Sequence, residues 1–245
     1  MSRWKAFAIH LSVSILVFLI LLTVILTVWF PGILFSIDGG WTGLRIVVGV
    51  DVVLGPLLTL IVFKSGKPGL KFDLTCIAIA QIACMTAGMW IVYQERPLAL
   101  VLAYDTFYSL ARQEFEDYDK DPAILQDMPG SSPKLIYVEL PESDISADIV
   151  NMRGFFIGDP LFMQTEKYRA IPQGLPDPSA IFRREASVRA TVSDELLMTL
   201  DENCLLSKFI SSVTSGYVCF DKAEGRLTEY FGDEYLKDEG EAGSD

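Results

Sequence analysis

The stretch LRIVVGVDVVLGPLLTLIVF, residues 44–63, is apolar apart from Arg45, Asp51 and Thr59. A helix that crosses a bilayer needs about 20 predominantly apolar residues, so the stretch is long enough to span a membrane. Asp51 lies near its centre, where a carboxylate in lipid costs free energy and is usually paired or functional. The stretch therefore predicts a membrane span that contains one buried polar site.

Two further apolar runs flank this stretch, and the three predicted spans are residues 6–30, 43–63 and 74–93. The first run has 25 residues. This is longer than the apolar core of a cleavable signal peptide, and the following TVWFPG lacks a small-residue cleavage site. We therefore expect an uncleaved anchor and a three-helix transmembrane bundle over residues 1–93.

The basic residues of the short loops predict the orientation of the spans. Lys64, Lys67 and Lys71 lie between the second and third spans, whereas residues 31–42 contain no Lys or Arg. Loops rich in Lys and Arg remain on the cytoplasmic side. We expect a cytoplasmic N-terminus and an exported C-terminal part.

The C-terminal part differs from the spans in composition. Residues 94–245 carry 14 basic and 29 acidic side chains, a net charge of −15. The acidic excess argues against binding to nucleic acid and against docking on anionic lipid. We predict a small α+β domain over residues 94–235 and an acidic tail over 236–245. Within the domain, sequence patterns predict strands at 97–104 and 134–140, a helix from Ser143 or Asp144, and further elements at the end of the chain. These are helices within 177–190 and 193–213 and a hairpin at 216–231.

The four cysteines fall into two pairs. Cys76 and Cys84 lie in the third span, where thiols pack as small apolar groups, whereas Cys204 and Cys219 lie in the exported domain. A disulfide between Cys204 and Cys219 fits an oxidising compartment, and two buried free thiols are the alternative.

The exported part of the sequence contains no histidine, so it cannot form a Ser-His-Asp arrangement. His10 is the one histidine of the chain, and it falls in the first span, where it is expected to bond a neighbouring helix or face the headgroups. The chain has no C-x-x-C, H-E-x-x-H or phosphate-loop motif. We predict no enzymatic activity, no metal site and no cofactor.

The N-terminal segments MSRWKAFAIHLSVSILVF and FSIDGGWTGLRIVVGVDVVLGPLLTLIVFKSGKPGLKFDL, with the later VYQERPLALV, resemble the type IV pilin accessory proteins (TfpX/TfpZ). The resemblance is dense over residues 1–105 and weaker beyond. The matching positions are Asp38, Gly39, Gly40, Trp41, Arg45, Asp51, Gly55, Pro56, Lys64, Gly66, Lys67, Pro68, Gly69 and Asp73.

The resemblance implies a multi-pass protein of a bacterial inner membrane with a periplasmic C-terminal domain. It also implies a role in type IV pilus biogenesis, in which the protein assists assembly of a cognate major pilin as a chaperone or modulator. Expected partners are that pilin, other pilus assembly proteins and the lipid of the inner membrane.

Asp51 has two interpretations in this setting. It either packs against Thr86 or holds a polar group of a pilin helix. Depth counting places Thr86 level with Asp51 in the third span, with Cys84 and Gln81 nearby. Gly55 permits close helix approach and Pro56 removes a backbone donor, so both shape the span. The predicted partner-binding residues are Asp51, Arg45, Gly55, Pro56 and Thr86.

Two other classes of function remain open from the sequence. A membrane enzyme or transporter component would use Asp51 as an intramembrane proton relay, although three spans with one acid are few for transport. A sensor would bind a ligand in the exported domain and, with little cytoplasmic chain, would need a signalling partner.

Overall fold

The computed structural model describes residues 2–172 and 178–236 of the chain. The chain divides into two compact units, which we call the helical unit, Met1–Arg96, and the sheet unit, Pro97–Asp245. Within the predicted acidic tail 236–245, the structure describes Leu236, which forms a β-bridge with Val192. The remainder of that tail lies outside the described residues.

Three helical segments make up most of the helical unit. The first is α1, Arg3–Val24, which continues as a π-helical segment, Ile25–Trp29. Two short helices follow, α2 (Leu34–Ile37) and α3 (Gly40–Val47), and then a second π-helical segment, Val48–Leu54, leads into α4 (Gly55–Val62). The unit ends with α5, Leu70–Glu95.

The middle segment is interrupted where the sequence contains Gly55 and Pro56. Proline has no N–H to donate to the carbonyl four residues earlier, and π-helical turns absorb such irregularities within a helix. The predicted span 43–63 is therefore built from α3, a π-helical segment and α4 rather than from one continuous α-helix.

Two helices of the described residues are long and apolar enough to cross a membrane, Arg3–Trp29 and Leu70–Glu95. In their most apolar stretches only 11% and 17% of the residues are buried within the protein, which is unusual for a core helix of a soluble fold. The middle segment contributes a shorter apolar helix, Asp51–Val62.

The sheet unit is built on a mixed sheet of seven strands in the order β4-β3-β1-β2-β5-β6-β7. The strands are β1 Ala99–Ala103, β2 Thr106–Leu110, β3 Lys134–Val138, β4 Tyr168–Ala170, β5 Cys204–Ile210, β6 Ser215–Asp221 and β7 Arg226–Phe231. The β1–β3 and β2–β5 pairs are parallel and the other pairs are antiparallel. Every residue of β1 is buried, as expected for a central strand covered on both faces.

In the described part of the sheet unit, four helices accompany the sheet: α6 (Arg112–Asp117), α7 (Asp144–Ile157), α8 (Glu185–Thr191) and α9 (Asp194–Thr199). Short 3₁₀ turns occur at Pro122–Asp127, Leu161–Met163, Thr165–Lys167, Pro178–Ala180 and Asp233–Tyr235. The helices α8 and α9 pack Val188 and Leu196 against Leu206 of β5 and Tyr217 of β6.

The helix predicted across residues 193–213 is wrong in its second half. A helix occupies Asp194–Thr199, but Cys204–Ile210 forms β5. This strand lies between β2 and β6, so its backbone donors and acceptors are satisfied by partners that are distant in sequence. Nonlocal pairing of this kind is not visible in the local pattern.

Candidate partner-binding site in the helical unit

A cluster of polar side chains joins the three helical segments of this unit. The Nδ1 atom of His10 on α1 lies 2.6 Å from the Oγ1 atom of Thr59 on α4. Asp51, in the π-helical segment before α4, interacts with the side chain of Gln81 on α5, and His10 is close enough to act on it electrostatically. Apolar surroundings strengthen such contacts, so the cluster fixes how the helices pack.

Asp51 lies inside the unit rather than on its surface. Its residue exposure is 5%, and its Oδ2 atom has no hydrogen-bond partner among the described residues. A buried carboxylate oxygen without a partner costs free energy in the folded state.

Gly55 lets α5 approach closely. A Cβ atom at this position would overlap the amide group of Gln81, whereas a Cβ atom at Gly49 would meet no heavy atom within 4 Å. The glycine therefore makes the space in which the Gln81 side chain reaches across to the middle segment.

The structure separates the residues that the sequence places at one site. Gly55 and Pro56 are buried beside the polar cluster, but Arg45 is exposed on α3. Thr86 is also exposed, and its hydroxyl donates to the carbonyl of Ile82 on its own helix at 2.7 Å. Gln81, rather than Thr86, is the α5 residue that interacts with Asp51.

Thr86 instead lines a groove between the first and last helical segments. We call this the outer groove; its volume is about 510 Å³. It is lined by Leu21, Trp29, Met85, Thr86, Met89, Trp90 and Tyr93. The rings of Trp29 and Tyr93 meet edge to face at 5.5 Å and so connect its two walls. Thioether and aromatic side chains give a wall that adapts to apolar occupants.

Sequence reasoning missed part of the site. It named His10 without a specific partner and placed Gln81 near the depth of Asp51 without counting it among the partner-binding residues. It did not include Thr59 or the two methionines of the groove. Polar residues within apolar spans are a signal that marks His10, Thr59 and Gln81. The methionines carry no such signal, since methionine is an ordinary residue of an apolar helix.

Among the described residues, no group of three or more His, Cys, Asp or Glu side chains is placed to hold a metal ion. In the sheet unit, Cys204 of β5 and Cys219 of β6 are joined by a disulfide, with their Cα atoms 5.2 Å apart. Cys76 and Cys84 are free and exposed on α5.

The chain is similar to curated proteins of Dichelobacter nodosus. It is 32% identical over 111 residues to the fimbrial assembly protein of serogroups C1 and C2, a match that covers 44% of this chain and 84% of that protein. The chain belongs to the fimbrial assembly protein family. A second fimbrial assembly protein, of serogroup E1, is 30% identical over 133 residues, which cover 53% of this chain and 48% of the relative.

A third fimbrial assembly protein, of serogroup I, is 29% identical over 133 residues and is likewise covered to 48%. The chain thus spans about half the length of two of these three fimbrial assembly proteins. No family model matches the chain, and no solved structure matches it.

Proposed function

We propose that this protein assists the assembly of type IV pili at the bacterial inner membrane, as an accessory protein of the TfpX/TfpZ kind. Its client is the cognate major pilin, for which it acts as a chaperone or modulator of assembly. The similarity to relatives named fimbrial assembly proteins supports the proposed role in pilus assembly. The outer groove is the observation that carries the proposed contact with a client.

In this proposal the helical unit crosses the membrane three times. The segments α1 and α5 are long enough to span by themselves, and the middle segment α3–α4 completes the bundle. The loop lysines Lys64, Lys67 and Lys71 support a cytoplasmic N-terminus and a periplasmic sheet unit.

The outer groove would hold the apolar helix of a pilin before assembly. Helices associate in lipid through van der Waals packing and interhelical hydrogen bonds, because burial from water gives no advantage there. The groove offers apolar and aromatic walls and the Thr86 side chain. An apolar client helix could replace lipid there without leaving a charge unpaired.

Asp51, Gly55 and Pro56 would serve this groove from inside the unit. The cluster of Asp51, Gln81 and His10 holds α1 and α5 against the middle segment and so sets the spacing of the two groove walls. Arg45 is exposed and would contact a client or lipid headgroups directly.

Site-specific photocross-linking tests the proposal. A benzoyl-phenylalanine at Met89 lies in the groove and is expected to capture the major pilin in living cells. The matched control is Ile91, which is exposed on the same helix two residues away and does not line the groove. Equal capture from both positions, or no capture of pilin from Met89, would refute the groove as the client site.

A deletion strain tests the process itself. We expect fewer surface pili on the deletion strain than on the wild type, and normal piliation when the wild-type chain is supplied again. Normal piliation of the deletion strain would refute a role in pilus assembly, independently of the cross-linking result.

A further inference from the structure

Helix α7 of the sheet unit turns its large apolar side chains outward. Phe156 is 84% exposed, while the small residues Ala147 and Gly154 are buried on the opposite side. The exposed apolar side chains are Ile145, Ile149, Met152, Phe155, Phe156 and Ile157. Ile145, Ile149, Met152 and Phe156 follow one another at spacings of four, three and four, so they form one continuous stripe along the helix. We call this stripe the α7 face.

The helix is held firmly with this face outward. Arg183 donates to the Asp144 carboxylate at 2.6 Å, and Arg184 forms an ion pair with Asp148. The Tyr104 hydroxyl donates to the same Asp148 carboxylate at 2.5 Å. These contacts lie beside the α7 face and leave its apolar side chains exposed.

The inner side of the helix explains why the large residues are outside. A Cβ atom at Gly154 would lie 2.8 Å from the carbonyl oxygen of Asp159, so the inner side accepts no bulk there. The large apolar residues therefore do not belong to the core of the sheet unit, and an exposed stripe of this size marks an interaction surface.

The α7 face has no uncompensated acidic charge on its two flanks, although the unit as a whole is acidic. Asp144 and Asp148 on one flank are neutralised by Arg183 and Arg184, and Arg153 is exposed on the other flank. Residues 94–245 as a whole carry a net charge of −15. Contact through this face therefore avoids the repulsion that the rest of the unit would experience near phospholipid.

The chain itself keeps the sheet unit near lipid. Only Arg96, Pro97 and Leu98 separate the end of α5 from the start of β1. A link of this length spans at most about 14 Å. If α5 crosses the bilayer, lipid is always within reach of the unit, whereas any other partner must arrive by diffusion.

We propose that the α7 face binds the surface of the bilayer, with its apolar stripe at the boundary of headgroups and acyl chains. Amphipathic helices in this position bury their apolar side about 5–10 Å into the interface. Arg153 on the flank reaches the lipid phosphates. The inference rests on α5 crossing the bilayer and does not depend on a pilin partner.

Fluorescence of the full-length chain in phosphatidylcholine vesicles tests this inference. Cys76 and Cys84 are replaced by Ser, the Cys204–Cys219 disulfide is kept, and one new Cys carries an environment-sensitive NBD label. The label is placed at Ile149, at Phe156 or at Met198, which is also 84% exposed but belongs to α9. A label at Ile79 on α5 reports whether that helix is in lipid.

We expect blue-shifted emission and quenching by shallow doxyl lipids at Ile149 and Phe156, and neither at Met198. Labels at Ile149 and Phe156 that behave like the one at Met198 overturn the inference, and so does an unquenched label at Ile79. A label on the α7 face that shifts only when purified pilin is added, without lipid quenching, identifies a protein partner and also overturns it.

A second measurement avoids the label. Peroxide oxidises exposed methionines, so in vesicles Met152 should react several-fold more slowly than Met198, although both are exposed in the protein alone. Equal oxidation of the two methionines contradicts the inference. Repeating the fluorescence with added phosphatidylglycerol tests whether the compensated acidic charges beside the α7 face allow contact with anionic lipid. Binding should persist when the vesicles become anionic, and its loss would contradict this role of the ion pairs.

Discussion

The Nδ1 atom of His10 lies 2.6 Å from the Oγ1 atom of Thr59 and joins α1 to α4 across 49 positions of sequence. Thr59 is buried, so this contact is made inside the helical unit, where water competes little. It is the hydrogen bond through which the chain's single histidine ties the first helix to the middle segment.

Replacing His10 by Ala or Thr59 by Val should lower the stability of the helical unit by about 1 kcal/mol, the scale of interhelical hydrogen bonds in membranes. Unfolding in mixed detergent and SDS micelles measures this change. The double variant should cost less than the sum of the two. Thr23→Val is the control, because the Thr23 hydroxyl bonds the carbonyl of Leu19 on its own helix.

Gly55→Leu should destabilise the helical unit by about 1–3 kcal/mol, because the new side chain overlaps Gln81 and forces the helices apart. Gly49→Leu is the matched control in the same segment, since its Cβ atom would meet open space. The same SDS titration compares them. Equal effects at the two glycines would contradict the close approach of α5 at Gly55.

Substitutions at Asp51 distinguish a packing role from proton transfer. Asn keeps the size of the side chain and one oxygen that can accept a hydrogen bond, so Asp51→Asn should retain protein level and piliation if the cluster positions the groove walls. Asp51→Leu should lose both, since the Gln81 side chain is then left without its polar partner and His10 without a nearby carboxylate. A proton relay instead predicts that Asn and Leu are equally inactive while the Asn variant still accumulates.

Removing the disulfide should destabilise the sheet unit. Cys204 and Cys219 are 15 positions apart, and closing a loop of that size contributes about 3 kcal/mol in the chain-entropy model. Denaturant unfolding of the Cys204→Ser variant in the full-length chain measures the loss. The Cys76→Ser variant should unfold like the wild type, and a Cys204→Ser variant that did so too would show that the disulfide contributes little.

Tyr168 should make the sheet unit sensitive to alkali. It is buried and its hydroxyl donates to the carbonyl of Phe162 at 2.5 Å, and burial raises the pKa of this phenol above its usual value. The folded state favours the neutral phenol. The contribution of Tyr168 to the free energy of unfolding is therefore complete below a pH of about 10 and is lost as the pH rises through the folded pKa. The free energy of unfolding should therefore decline at alkaline pH.

The Tyr168→Phe variant should lose about 1–3 kcal/mol at neutral pH, because the Phe162 carbonyl is left without its partner. It should also show a shallower alkaline decline. Denaturant titrations at neutral and alkaline pH measure both effects. If the free energy of unfolding of the variant declines with pH as steeply as that of the wild type, Tyr168 is not the cause of the decline.

Local patterns in the sequence predicted the apolar segments, the helix from Asp144 and the final hairpin, because each depends on contacts between residues that are close in the chain. They failed at Cys204–Ile210, whose strand depends on β2 and β6. The pairing of Asp51 with Thr86 was predicted from depth alone. Depth counting assumes straight helices and contains no information about rotation, and the structure turns Thr86 to the outer groove and Gln81 toward Asp51.

The sequence by itself determined which segments are apolar, where the single acid of the central apolar stretch lies, and how acidic the remainder of the chain is, since these follow from composition along the chain. Only the tertiary structure decided that His10 and Gln81 surround Asp51, that Thr86 lines a groove, and that α7 turns its large residues outward. Those outcomes depend on how helices rotate and pack against distant neighbours. The combined packing free energy of many side chains determines these helix rotations, and no local sequence pattern encodes it.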